Sequence, residues 1–271
     1  MIRALLTALR WSPFSLRAQS WWKRWRRRRR ARAAQPGRCP ICAGPARFFP
    51  IAGGPRETPM CAGCGSVARQ RALVHTLAGL GIELTTAQVH ESSPSLATYE
   101  FFAARCREFI ASYHLPDRPP GSRLGAFTVA DLTALPFATD TFDLVVTLDV
   151  LEHVPTPARA LLEIARTLRP GGTFVFTVPR DPARATRARA ELTTNGWRHL
   201  LPAQFHADPT TRRGALVVTD WGHDLEARLA DAGLTCRTLT VLAPELGVPV
   251  QIEVFVARKP ATAGDSPPAT R

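Results

Sequence analysis

The sequence predicts an α/β protein in two parts: a doubly wound, mainly parallel sheet over residues 85–258, and a small metal-binding module ahead of it at 36–80. Two patterns carry this reading. Strand-like and helix-like segments alternate through the larger part, and strands separated by helices of about 10–15 residues imply parallel crossovers. Four of the six cysteines fall in two Cys-x-x-Cys pairs, which is the habit of a metal site rather than of a disulfide framework.

Taken in order, the chain opens on a basic arm at 1–35. Residues 1–34 hold 11 basic side chains and no acid, and the other 24 basic residues face 22 acidic ones, so nearly all of the formal charge of +13 sits in the arm. A folded surface built throughout to wrap nucleic acid is excluded by that distribution. Ile2, Leu5, Leu6 and Leu9 share one helical face up to Pro13, and Trp21, Trp22 and Trp25 adjoin five consecutive arginines. Three readings stand for the arm: attachment to an anionic membrane surface, contact with another polyanion, or a solvated disordered segment. Arg3 and Arg10 interrupt the apolar stretch that a signal peptide needs, and no run of 18 apolar residues is present. The expected location is cytoplasmic, with the inner membrane surface as a peripheral site.

In the module, Cys39-Pro-Ile-Cys42 and Cys61-Ala-Gly-Cys64 are 18 residues apart, the spacing of a four-thiolate structural zinc site. Gly44 and Gly65 are expected to supply the positive φ of the turns that aim each pair at the ion. Arg69 and Arg71 follow at the start of a helix reaching about Leu80 and are expected to be structural. Cys106 and Cys236 are expected to be buried bystanders.

In the larger part, 86–90, 108–115, 126–132, 142–151 and 172–179 read as strands, and 95–106, 156–168 and 223–233 as helices. Thr156 and Pro157 mark the start of the second helix and Leu-Arg-Pro-Gly-Gly its close. A strand–loop–strand unit ends the fold at Arg258, and 259–271 is a polar tail expected to be disordered. Ligands of such sheets bind beyond the carboxyl ends of the strands, which selects 90–95, 113–117, 131–132 and 147–153.

The run Asp131-Leu132-Thr-Ala-Leu-Pro-Phe137, Phe142-Asp143, Leu151-Glu152-His153-Val154 and Leu168-Arg-Pro-Gly-Gly172 resembles the class I S-adenosylmethionine-dependent methyltransferases of the type 11 kind. The likeness extends upstream to a subgroup carrying a zinc ribbon that ends Cys-x-x-Cys-x-Ser-x-x-Arg-x-Arg. It implies a Rossmann-like seven-stranded sheet, S-adenosylmethionine as cofactor and methyl transfer as the reaction. It also implies that Asp131 accepts a hydrogen bond from the adenine amino group, that the Leu132 amide meets the ring, and that Thr147, Leu148 and Asp149 line the pocket under the sulfonium. Two departures stand out. The loop His90-Glu91-Ser92-Ser93-Pro94-Ser95 holds no glycine, so Glu91 is expected in the acidic role and Ser93 and Ser95 in place of glycines. In place of the usual ribose carboxylate, Asp117 is the candidate.

For chemistry, His153 is the candidate base, against a reading in which it only supports its loop. Residues 180–222 form an insertion expected to shape the acceptor pocket, with His199, His206, Asp208, Trp221 and seven arginines. These arginines suit an anionic acceptor, small or glycan-phosphate in type; a solvated helix over 183–191 is the other reading. Beside a methyltransferase acting on a small-molecule, glycan or lipid-type acceptor stand a catalytically degenerate scaffold with a structural zinc site and, third, a nucleic-acid methyltransferase. The last lacks both an Asn/Asp-Pro-Pro-Tyr/Phe motif and a Pro-Cys nucleophile.

Overall fold

The computed structural model describes residues 34–206 and 214–261. The basic arm, Asp208, Arg212, Arg213 and the last ten residues lie outside them.

Three short strands, β1 (Gln35–Cys39), β2 (Gly44–Phe49) and β3 (Met60–Cys61), form an antiparallel sheet that carries the cysteine pairs. Helix α1 (Ala68–Ala78) follows. Then come β4 (Gln88–Ser92), α2 (Leu96–Ala103), β5 (Glu108–Tyr113), β6 (Arg123–Leu124), β7 (Phe127–Val129), β8 (Phe142–Leu148), α3 (Pro157–Thr167) and β9 (Leu168–Thr177). Residues 180–222 hold β10 (Arg187–Ala188), β11 (Ala190–Thr193), β12 (Gly196–His199), β13 (Phe205–His206), β14 (Ala215–Leu216) and β15 (Thr219–Asp220). Helix α4 (Leu225–Asp231) leads to the closing hairpin of β16 (Thr235–Ala243) and β17 (Val248–Arg258).

The main sheet runs β16-β17-β9-β8-β4-β5-β7-β6. Its centre, β9-β8-β4-β5-β7, is parallel, while β17 enters antiparallel between β9 and β16. The seven strands expected are present, and the two-residue β6 adds an eighth at the edge, paired back on β7. Strand order reverses between β4 and β8: the chain leaves β4 toward β5 and β7, then returns to its other side for β8. A ligand crevice opens at such a point.

Alternation along β8 shows how the sheet is covered. Leu144, Val146 and Leu148 join one core with Leu73 and Leu77 of α1 and Phe101 and Phe102 of α2. Phe142 and Val145 join the other with Leu161 and Ile164 of α3 and Leu225 and Leu229 of α4. Both faces being buried, the strand is apolar almost throughout. In α3 the apolar positions 160, 161, 164 and 165 share one face, and Pro157 occupies the first turn. Thr156 takes the N-cap position without a side-chain bond. The cysteine module shares the first of these cores: Ile41, Phe48 and Cys61 are buried with α1 and β17 residues.

Several local expectations are corrected. The Leu168-Arg-Pro-Gly-Gly172 run belongs to β9 rather than to a helix-ending loop, with a register irregularity against β8. Its motif partner explains it: Arg169 Nη1 binds both oxygens of Asp143 at 3.0 Å, and Asp143 also accepts from the Gln88 amide at 2.7 Å. This ties three strands together at the end away from the crevice. The stretch 183–191 forms no helix; it contributes β10 and β11 to antiparallel ribbons. In the first cysteine turn the positive φ (56°) falls on Ala43 rather than Gly44, whereas Gly65 has it (80°) in the second. Cys106 lies just beyond α2, and it and Cys236 are half-buried rather than buried.

Candidate functional site

The four cysteines converge. Cys39 and Cys64 sulfurs are 3.8 Å apart, as are those of Cys42 and Cys61, and all four lie within 4.8 Å of one another. Sulfurs bound tetrahedrally at about 2.3 Å from zinc sit about 3.8 Å from each other, so the donor set fits that ion. Gly63 packs against this cluster; a Cβ there would come within 3.1 Å of the Cys42 sulfur.

Arg71 supports the same reading. It is wholly buried, and its guanidinium donates to the carbonyls of Pro59 (2.6 Å), Leu246 (2.8 Å), Gly247 (2.6 Å) and Ser66. Among the described residues no carboxylate bonds to it. Burial lowers its pKa, and the four cysteines act against that by charge. A four-thiolate metal site would be the buried counter-charge that such a cation needs.

At the carboxyl ends of the strands, the glycine-free loop adopts the geometry a glycine would take. Ser93 has φ 54°. Its amide donates to Ser112 O at 2.8 Å, and the Tyr113 hydroxyl donates to Pro94 O at 2.5 Å, so β5 pins the loop. Ser95 caps α2, its hydroxyl accepting from the Thr98 amide at 3.1 Å. Left-handed backbone costs a non-glycine residue about 1–2 kcal/mol, and it persists here because these bonds fix it.

Beneath the loop, Glu91 is fully buried and neither carboxylate oxygen accepts a hydrogen bond. Burial pushes it up to about 8, against a small opposing effect of Thr98, whose hydroxyl is engaged with Ser95. His90, one residue back, stacks on Phe142 and bonds Ser112 Oγ at 2.8 Å; burial pushes it down to about 3. The signs are opposite. From about pH 3 to 6.5 the unfolded chain binds a proton at His90 that the native state does not, so stability rises with pH. From about pH 4.5 to 8 the native state keeps a proton on Glu91 that the unfolded chain has lost, so stability falls. Stability should be greatest between about pH 4.5 and 6.5 and decline toward 8. Urea midpoints across this range check the curve; Glu91→Gln should flatten the alkaline decline, and an unchanged decline in that variant contradicts the assignment.

Asp131, just past β7, forms a tight turn in which one carboxylate oxygen accepts from the Thr133 amide and hydroxyl, both at 2.8 Å. The Leu132 side chain is buried. Thr147 is buried at the end of β8 with its hydroxyl unpartnered. Asp117 is exposed in the loop after β5.

Asp149 differs from expectation. It has φ 53°, and rather than standing open its carboxylate is gripped by Arg56 (2.7 Å), Arg69 (3.1 Å) and the Thr177 hydroxyl (2.7 Å). Burial opposes its charge, but Arg69 and Arg56 prevail and hold the carboxyl below its ordinary value. Both arginines come from the cysteine module and its helix. Arg69 was legible as part of an Arg-x-Arg run but not as a partner of the sheet; Arg56 lies in a loop with no sequence signal.

His153 sits on a single 3-10 turn, Leu151–His153, after β8. Its Nδ1 bonds Leu216 O of the insertion at 2.8 Å, and Glu152 and His206 lie beside it. Glu152, unassigned from sequence, is 1% exposed with both oxygens unpartnered. With His206, Trp221, Arg180, Arg184, Arg187 and Arg189 it lines a cavity of about 330 Å³. The arginines there are committed: Arg180 to Glu226 and Glu253, Arg184 to Asp181, Arg187 and Arg189 to Asp220. Arg198 pairs with Glu191, and His199 is exposed on β12. The five described arginines of the insertion thus each already face a carboxylate.

Comparison with known proteins agrees with this architecture. Residues 60–176 match one methyltransferase domain family and residues 125–233 a second, also described as a methyltransferase domain. An "uncharacterized methyltransferase" of Mycolicibacterium vanbaalenii is 37% identical over 115 residues, 41% of this chain and 42% of that protein. A ubiquinone biosynthesis O-methyltransferase of Parvibaculum lavamentivorans is 33% identical over 137 residues, 48% of this chain and 47% of its own length. The matches thus span about half the length of these curated relatives. A solved S-adenosylmethionine-dependent methyltransferase from Mesorhizobium loti aligns with 69% of this chain and 97% of its own at 17% identity and TM-score 0.46. Over residues 60–233 the chain is therefore similar to methyltransferase domains. Among the described residues no helix is long and apolar enough to cross a membrane.

Proposed function

We propose that this protein transfers a methyl group from S-adenosylmethionine to a small-molecule or glycan-type acceptor. The observation that carries the reading is the position of Glu91 at the carboxyl end of β4, and of Ser93, Asp131 and Asp149 just past the ends of β4, β7 and β8; β4 and β8 flank the point where strand order reverses. When bound there, S-adenosylmethionine supplies a methyl group already activated by its positive sulfur, so positioning does much of the work. Asp131 grips the adenine amino group with Leu132 beside the ring, Asp117 serves the ribose, and Ser93 lets backbone approach where a glycine is usual. Ser95 shapes that loop by capping α2. Glu91 and Thr147 keep unpartnered polar atoms at this end of the sheet, and Asp149 acts through the arginines that hold it. The acceptor enters by the cavity under the insertion, which Glu152 and His206 line, and His153 beside them is the candidate base of the ion-free site. Zinc held by Cys39, Cys42, Cys61 and Cys64 is structural.

Ultraviolet cross-linking of isotope-labelled S-adenosylmethionine, followed by peptide mapping, tests this. Label is expected in peptides containing 88–95, 131–133 or 147–150; label confined elsewhere, or none, contradicts it. The glycine-free loop favours one other reading, a fold that binds the cofactor without transferring from it. That reading predicts cross-linking without release of S-adenosylhomocysteine under any acceptor.

A further inference from the structure

We infer that Glu152, His153 and His206 form a second metal site, distinct from the cysteine cluster, that binds a divalent transition ion such as Zn²⁺ and leaves one position open to the cavity.

Three observations converge on it. First, Glu152 is a buried carboxylate whose oxygens accept no hydrogen bond from any described residue. A buried negative charge without a partner is costly, and a cation between it and the imidazoles would remove that cost. Second, the donor atoms are spaced for an ion. Glu152 Oε1 lies 3.5 Å from His206 Nδ1 and 3.7 Å from His153 Nε2, and the two imidazole nitrogens complete a triangle with no side above 4.8 Å. Ligands held tetrahedrally at about 2.0–2.1 Å stand about 3.3–3.5 Å apart, so the two carboxylate edges are already close to that figure. Third, the rings are oriented from behind. His153 Nδ1–H donates to Leu216 O at 2.8 Å, which leaves the Nε2 lone pair toward Glu152. On the other ring, His206 Nε2 is 3.4 Å from the side-chain amide of Gln204, whose oxygen can receive its proton when the amide is turned over.

Two histidines and one glutamate are the ligand set of zinc sites that keep a fourth position for water or substrate. Here Glu152 and His206 line the cavity of about 330 Å³ whose wall also carries the unpartnered Trp221 Nε1. An oxygen or nitrogen of the acceptor would complete the shell; that last role rests on the methyltransferase reading, whereas the metal site does not.

The test uses the full chain with its cysteine site filled, titrated with ZnCl₂ alone and followed by calorimetry and metal content. One further equivalent is expected in the wild type and none in His206→Ala or Glu152→Gln, with the first equivalent and the circular dichroism of both variants unchanged. With Co²⁺ in place of zinc, the added equivalent should show d–d absorption without a thiolate-to-cobalt charge-transfer band. Absence of a second equivalent in the wild type overturns the inference, and so does a second equivalent that both variants retain. Either result leaves cofactor binding untouched, so failure here is separable from failure of the methyltransferase reading.

Discussion

Cys61→Ser, or removal of the metal by a chelator, should lower the thermal unfolding midpoint by on the order of 10 °C or more. The effect is large because the cysteine cluster is not an appendage. Cys61 is wholly buried, and Ile41 and Phe48 of the same module lie in one core with α1 and β17. Arg71 adds a further loss: with the thiolates released, its buried guanidinium would keep its carbonyl partners but lose its counter-charge. Scanning calorimetry before and after chelation measures this. A midpoint unmoved by either treatment would show that the four cysteines hold no structural ion.

Asp149→Asn should destabilise the chain by about 2–3 kcal/mol and weaken S-adenosylmethionine binding at least tenfold. Removing one side of a buried ion pair strands the other, and here Arg56 would be left facing a neutral amide while Arg69 keeps only its second partner, Glu57. The loss is smaller than for deeply buried pairs because the side chains of Arg56 and Arg69 are 25% and 17% exposed. Adding Arg56→Met and Arg69→Met to that variant should restore much of the stability, since the charge then left without its partner is the solvent-accessible carboxylate of Glu57, but not the binding. Urea unfolding and calorimetry read the two effects separately. A single variant as stable as the wild type would show that the arginines are solvated rather than held.

The fold was legible wherever a sequence pattern has one physical solution. The apolar run at 142–148 has to be a strand buried on both faces, and two Cys-x-x-Cys turns 18 residues apart have to face one ion. The insertion was not legible. Its arginines read equally as a pocket or as a helix, and which carboxylate each one meets depends on ribbons of two to four residues with no periodicity of their own. The same holds for Asp149: its carboxylate was visible in the motif, but Arg56 lies 93 residues away along the chain. Likewise Glu152 and His206 meet only because the insertion folds back, so no spacing rule connects them. Ser93 is the instructive case between these extremes. The missing glycine was visible, and the structure shows a serine in the left-handed region instead, held there by bonds from β5.

The most direct test of the central claim is calorimetric titration of the zinc-loaded chain with S-adenosylmethionine and S-adenosylhomocysteine, with Asp131→Ala as control. Micromolar binding of both, lost in the variant, is the predicted result. A folded protein that binds neither at millimolar concentration would contradict the placement of the cofactor beyond β4, β7 and β8.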